Sequence, residues 1–430
     1  MKTRFNVAIV GAGPAGASAA ILLARAGWSV ALVERQSFPR RKVCGECVAA
    51  SNLALLDALG VGAAVGSRAG AELRRVALMR GDETIVAPLP SASGGFRWGR
   101  AIGREHLDTL LADAAGNAGA TRLQPCSLQS IAGTAGDFVL TVRPAARSAR
   151  DVDDDGAAGD GGDLELHAGL VVAAHGSWEP LPFEREQRRE ERAPSDLFAF
   201  KANFRGAAIA ADLLPVLSFR SGYGGMVVAD DGIATLAGCI RADRLQDLRS
   251  ARPGARAGDV FEAMLRSECG GVAAALAGAT REGAWLASGP LRPGLRLGNR
   301  SGGADAGAFR IGNAAGEAHP IVGEGISMAL QSAFVLADLI APHRAELVGR
   351  VTAASAQRHA LAAYEELWRR RFSRRLRVAA AFAHVAMRPA LAGAVWPLVR
   401  RFPEILTVGA RLSDKTRCAP EAARWLGAAA

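Results

Sequence analysis

The chain has 430 residues, half of them hydrophobic and 22% charged, which excludes a disordered protein and leaves room for two domains sharing an interface. Its formal charge of +10 suggests nucleic acid until it is mapped. The arginines between Arg369 and Arg401 meet no acidic residue in that interval, and the rest of the chain is close to neutral, so no nucleic-acid partner is expected.

Phe5 to Val10 reads as a buried strand, Gly11 to Gly16 as a turn, Ala17 to Ala26 as a helix and Ser29 to Glu34 as a second strand, which is a βαβ opening. The first apolar run is too short for a secretory leader, and the six scattered cysteines do not suggest a disulfide framework. The cytoplasm is the expected compartment. Ser51 to Leu59 is helical by its spacing, with Ser51 placed to cap it. Ile102 to Ala115 contains a helix led by Arg104, with Leu107, Leu110 and Leu111 on one face. Strands follow at Phe138 to Val142, Leu164 to Leu166 and Leu170 to Ala174. The polar stretch Pro144 to Asp163 reads as a disordered hairpin loop.

From Leu181 to Ala287 short alternating runs such as Leu197 to Phe204 and Ile233 to Ile240 predict an antiparallel sheet laid over a ligand, interrupted by one helix near Val260 to Ser267. A strand at Phe309 to Gly312 and a helix from Gly325 to Ile340 return to the α/β style. The remainder is helical, with breaks at Pro389, Pro397 and Pro403.

Two motifs carry chemistry. Gly11, Gly13, Pro14, Ala15 and Gly16 lie between strand and helix, where a pyrophosphate can approach unpaired backbone donors, and Glu34, followed by Arg35, ends the next strand where it can accept ribose hydroxyls. Some 300 residues on, Gly312, Asn313, Pro320, Gly323, Gly325 and Ile326 belong to a second glycine-rich loop that opens a helix. Two anion-friendly helix starts in one chain suggest a long cofactor gripped at both ends.

At these residues, and at Arg104 with Leu107 and Asp108, the chain resembles the FAD-dependent oxidoreductases of the p-hydroxybenzoate hydroxylase and geranylgeranyl reductase superfamily. The resemblance covers roughly residues 5 to 340. It implies an α/β fold: a Rossmann-like FAD-binding domain with an inserted antiparallel-sheet substrate domain and a helical C-terminus. The expected divisions are 1–75, 96–180 and 288–340 for the FAD domain, 76–95 and 181–287 for the substrate domain, and 341–430 for the helical region. The resemblance implies FAD as cofactor, Arg104 near the pyrophosphate or ribityl chain, and Asn313 in place of the family's ribityl-binding aspartate. His175-Gly176-Ser177 stands where the family's hydroxylases carry Asp-Gly.

Cys44, Gly45, Glu46 and Cys47 resemble the flavin-side Cys-Gly loop of the geranylgeranyl reductases. Cys44 is a candidate thiol and Glu46 a candidate acid or a cap for the helix that follows; a single Cys-x-x-Cys is poor metal evidence, and no metal is expected. His319 could exchange protons beside the flavin near neutral pH. Trp98, Trp178, Tyr223 and Trp285 could line an aromatic pocket.

The leading expectation is a monooxygenase acting on an apolar or aromatic small molecule, with NADH or NADPH as electron donor. A double-bond reductase, a flavin halogenase and a catalytically silent FAD-binding scaffold are the alternatives. The basic segment Arg369 to Arg377, with the apolar Val378 to Val399, reads as a helical cover or as a peripheral membrane contact through the C-terminal helices.

Overall fold

The computed structural model describes residues 3–426 apart from 94, 146–161, 178–192, 298–306, 350, 414–415 and 419. The greater part of the predicted hairpin loop, and Trp178, lie outside the described residues.

Two seven-stranded sheets organise the molecule. The first runs Thr121–Leu123, Val30–Val33, Arg4–Val10, Leu164–Ala173, Asp137–Pro144, Cys126–Thr134, with Phe309–Arg310 also pairing with Leu164–Ala173. Its N-terminal half is parallel: Val7 lies beside Val30 on one side and Leu170 on the other. Strands buried on both faces need unbroken apolar runs, which Val7 to Val10 and Val30 to Val33 supply. The helix Pro14–Arg25 follows directly. Proline in its first turn forfeits no hydrogen bond, and the small residues Ala15, Gly16, Ala19 and Ala20 let it pack closely against the helix Gly325–Ile340.

The second sheet runs Thr280–Leu291, Leu197–Arg205, Ala234–Arg241, Gly222–Val228, Leu213–Phe219, Arg75–Arg80, Glu83–Pro88. It is antiparallel except where Leu213–Phe219 meets Arg75–Arg80. Period-two alternation divides Leu197–Arg205. Phe200, Ala202 and Phe204 pack with Phe261 of the helix Ala257–Glu268, whereas Leu197, Ala199 and Lys201 belong to the other face. Trp285 joins the first group, its ring edge-on to Phe261 with centroids 5.6 Å apart.

The C-terminal helix Ala353–Ala386 ties the halves together. Leu361, Tyr364, Trp368, Phe372 and Leu376, at helical spacing, join the core around Gly325–Ile340, and Ala383 reaches the cluster around Tyr223 on the second sheet. The fold is α/β, with a Rossmann-like domain, an antiparallel-rich second sheet and a helical C-terminus.

Several local expectations need correction. The helix near Ser51 spans Ala50–Ala58 with Ala49 at its N-cap, so Ser51 lies inside it. The runs at Leu164 and Leu170 form one strand, because pairing with Arg4–Val10 bridges the intervening His167 and Ala168. Among the described residues three helices, not one, interrupt the second sheet's sequence: Ala242–Ser250, Ala257–Glu268 and Gly270–Ala275. Pro397 does not break its helix, which runs Pro389–Arg401. The proline is exposed, while Ala392, Trp396 and Val399 hold the turns around it by packing inward.

Candidate active site

A cavity of about 500 Å³ brings the two glycine motifs together. The helices Pro14–Arg25 and Gly325–Ile340 both present their N-termini to it, through Gly13 and Gly325. These glycines differ physically from their neighbours. A Cβ on Gly325 would meet nothing within 4 Å, and one on Gly13 would meet the Arg104 guanidinium at 3.8 Å alone. On Gly16 it would lie 1.8 Å from the Gly11 carbonyl oxygen, and on Gly11 2.6 Å from that of Ala174. Gly11 and Gly16 therefore make the tight turn, while Gly13 and Gly325 leave open space beside unpaired donors.

Around that space the charges converge. Arg104 is held bidentately by Asp108, at 2.7 Å on both arms. Glu34 takes the Ala12 N–H on one carboxylate oxygen and the Gln36 N–H on the other, both at 2.9 Å. Arg40 bridges Glu34 and Asp108 at 3.6 Å from each. Lys42 lines the same cavity, and burial, with Arg104 and Arg40 nearby, lowers its pKa to about 8. Three cations thus face two carboxylates, which leaves an excess of positive charge toward a pyrophosphate. Arg35 is exposed and does not line the cavity; Glu34 alone of that pair turns inward.

At the other end Asn313, Pro320, Gly323, Gly325 and Ile326 line the cavity, and Gly312 packs against Ala15 beneath it. Asn313 donates its side-chain amide to Ser177 Oγ at 2.9 Å, joining the two segments that depart from the family pattern. Its backbone carbonyl accepts from Arg296, which also pairs with the buried Glu317 at 2.7 Å. Burial raises the pKa of Glu317 despite that arginine. Free space at two helix starts, cationic at one end and polar at the other, fits an elongated dinucleotide such as FAD, with Gly13, Arg104 and Lys42 for the pyrophosphate and Asn313 with Gly323 to Ile326 for the far end.

His319 stands just outside the lining. Its Nδ1 is 3.1 Å from the hydroxyl of Tyr223, which does line the cavity. Burial lowers the imidazole's pKa, keeping it neutral at pH 7. Burial likewise holds the Tyr223 phenol well above its usual pKa, and pushes the adjoining Cys239 thiol up to about 12. Of the four aromatic residues considered from sequence, Tyr223 borders the cavity. Trp285 is half-buried against the core of the second sheet, and Trp98 has the Arg74 and Arg97 guanidinium groups over its ring at 4.7 and 4.8 Å.

The loop from Lys42 to Cys47 borders the cavity throughout. Cys44 and Cys47 are not disulfide-bonded, and Cys44 Sγ accepts from the Glu46 backbone N–H at 3.3 Å. Glu46 is not a free acid. It is buried, adopts φ of +57°, and accepts from Lys201 Nζ, Thr235 Oγ1 and the Arg104 backbone N–H. It caps the helix Arg104–Asn117, not the helix that follows it in sequence. The left-handed backbone is offset by those three partners, and together they lock the loop to the second sheet.

Sequence reasoning passed over Lys42, Lys201 and Glu317. A lysine on the alternate face of the apolar strand Leu197–Arg205 was a readable signal. The C-terminal segment read as a helical cover does line the cavity, through Phe382, Trp396, Leu406 and their neighbours, residues that the sequence reading did not name. The basic segment has no acidic residue of its own between Arg369 and Arg401. Carboxylates from elsewhere reach it: Arg375 is buried against Glu324 at 3.4 Å, Arg371 pairs with Glu421 at 2.8 Å and Arg369 with Glu365 at 3.0 Å.

This fold and cradle fit an FAD-binding domain. Residues 4–195 match the model of the FAD binding domain. Menaquinone reductase of Mycolicibacterium smegmatis is 36% identical over 120 residues, covering 28% of this chain and 29% of that protein. Kynurenine 3-monooxygenase of Xanthomonas oryzae pv. oryzae is 37% identical over 125 residues, covering 27% and 26%. The matched segments thus span less than a third of these curated relatives. The solved structure of the flavin-dependent brominase Bmp2 superposes with a TM-score of 0.71 at 16% identity, covering 99% of this chain and 97% of that one, which is a likeness of fold. The FAD binding domain match thus covers the N-terminal part of the chain, and beyond it the likeness is one of fold.

Proposed function

We propose that this protein is an FAD-dependent monooxygenase that hydroxylates a molecule with a compact, electron-rich head and a long apolar tail, taking electrons from NADH or NADPH. The observation that carries the reading is the cavity's course. It leaves the cofactor cradle, passes Tyr223 and Cys239, and continues among Phe382, Val395, Trp396, Val399 and Leu406 of the C-terminal helices. A hydrocarbon tail there gains on the order of 0.8 kcal/mol for each buried CH₂. Bound FAD supplies the two-electron and oxygen chemistry.

The residues of the chain orient the head and manage a proton. Tyr223, kept protonated by burial, can hold a substrate oxygen, and the neutral His319 behind it can accept a proton passed through the phenol. The second sheet and the C-terminal helices flank that end with apolar side chains.

Reduction of a carbon–carbon double bond in the same kind of molecule is the second reading. It is favoured by the Cys44-Gly45 loop along the cavity and by the similarity to menaquinone reductase. The test is turnover of long-chain alkylphenols and of polyunsaturated isoprenoid lipids with NADPH, with and without oxygen. Oxygen uptake matched by a product heavier by one oxygen atom supports hydroxylation. An anaerobic product heavier by one pair of hydrogens supports the second reading, and turnover of short water-soluble analogues at equal rate rejects the apolar-tail substrate altogether.

A further inference from the structure

We infer that the helices Pro389–Arg401 and Glu404–Leu412 form a membrane-docking face for anionic lipid bilayers, with the mouth of the substrate cavity inside the contact. The inference rests on the apolar-tail reading for its purpose, though not for its geometry.

Each helix is apolar on two sides. Inward, Ala392, Trp396, Val399, Leu406 and Ala410 line the cavity. Outward, Leu391, Val395 and Leu398 follow at helical spacing on the first helix, and Ile405, Val408 and Leu412 on the second, all exposed. Phe402 joins the rows, and Leu398, Val408 and Phe402 remain about half exposed at 52%, 50% and 48%. A contiguous outward row of this kind is unusual on a soluble surface and marks an interaction site. Phe382, Val395 and Ile405 belong both to the exposed set and to the lining, so the cavity opens within this face.

Charge selects the occupant. Arg388, Arg400, Arg401 and Arg411 are exposed around the apolar rows, and Glu404 is the one acidic residue between Pro389 and Leu412. Arg400 has Glu83 at 3.7 Å, while Arg401 lies over the ring of Phe402 at 5.0 Å. An apolar stripe bordered by arginines suits helices lying in the interface plane, their hydrocarbon face among acyl chains and their guanidinium groups among anionic headgroups. A second copy of the chain fits less well, because a two-fold contact would set the same arginines against one another. The bend of 100° between Ala353–Ala386 and Pro389–Arg401 keeps the apolar run from forming one straight span and turns the latter helix across the cavity mouth.

The test is sedimentation of the FAD-loaded protein with vesicles of phosphatidylcholine alone and of phosphatidylcholine with phosphatidylglycerol. The expected result is binding to the anionic vesicles that weakens as salt shortens the reach of charge to about 10 Å at 0.1 M. Changing Leu398, Phe402 and Val408 together to Gln should weaken it about tenfold or more, with FAD content unchanged because none of the three lines the cavity. Replacing Arg388, Arg401 and Arg411 with Gln should remove the preference for anionic lipid. The inference is overturned if the wild type ignores both vesicle types or if the triple Gln variant binds as well as wild type. It is also overturned if the wild type is a dimer that this variant splits. Vesicle binding is read without substrate, so it can stand or fail independently of turnover.

Discussion

The two ends of the cavity are built on different principles. At the cofactor end the essential parts are backbone: two helix starts, two glycines that open space and two that close a turn. At the substrate end they are side chains drawn from the Lys42–Cys47 loop, the second sheet and three C-terminal helices. Backbone geometry demands particular residues at fixed local spacing, whereas a side-chain surface assembled from distant segments can be made in many ways. The first end therefore holds the cofactor by form, and the second is free to be shaped to a substrate.

The sharpest break in that comparison is between neighbouring glycines. Gly16→Ala should prevent soluble folding, since its Cβ would sit 1.8 Å from the Gly11 carbonyl oxygen. Gly13→Val should fold yet purify colourless, because its side chain enters the space left for the pyrophosphate. Absorbance at the flavin bands and yield of soluble protein separate the two outcomes. A yellow Gly13→Val protein would show that the cofactor lies elsewhere.

The next effect joins the two ends. Arg375 from the C-terminal helix pairs with Glu324 at the start of Gly325–Ile340 and donates to Gln331, which in turn reaches Asn52. Arg375→Leu leaves a buried carboxylate without that partner and should destabilise by about 3–5 kcal/mol. Denaturant midpoints would measure it. Arg375→Leu with Glu324→Gln should recover much of the loss, and failure to do so would mean that the arginine acts by packing alone.

At the substrate end, His319→Gln tests the proton path. Burial depresses the imidazole's pKa, so in the wild type the acid limb of the rate profile, where His319 becomes protonated and ceases to accept, should fall below pH 6.5. The variant should lose that limb and about 100-fold in kcat, with FAD content intact. Tyr223→Phe should lower kcat comparably while leaving His319 folded in place. Unchanged profiles in both would reduce the pair to a packing contact.

These contrasts explain what was legible in the sequence. The βαβ opening, Arg104 with Asp108 and the late loop could be read because each is a short pattern whose spacing follows from strand, turn and helix. Lys201 and Glu46 lie 155 positions apart in the chain, so their pairing has no local signature, and Glu46, read as a candidate acid or a cap for the following helix, instead joins Arg104, Lys201 and Thr235. The ion pairs of the basic segment have no local signature for the same reason: Glu324 and Glu421 lie outside it in the chain. Trp396 and Leu406 were visible as apolar residues, but only the bend before Pro389 turns them over the cavity.

The smallest effect sharpens the cofactor end itself. Lys42 joins Arg104 as a side chain beside the backbone donors of the cradle, and burial with Arg104 and Arg40 nearby lowers its pKa to about 8 from 10.5. Between those values the folded apoprotein holds fewer protons than the unfolded chain, so its stability should rise with pH across that window and fall to its lower level below about 8. An anionic pyrophosphate in the cradle favours the ammonium form and draws the pKa back up. Above pH 8, FAD binding must then take up a proton, and affinity should fall by up to about tenfold per pH unit until the raised pKa is reached. Lys42→Met should bind FAD more weakly at pH 7 and lose this slope, while Lys42→Arg should keep the affinity without the slope, since a guanidinium does not titrate there. Titration of apoprotein with FAD from pH 7 to 10 reads all three. If the wild type binds with the same affinity across that range, Lys42 carries no cofactor charge, and the cradle is held by Arg104 and the helix start alone.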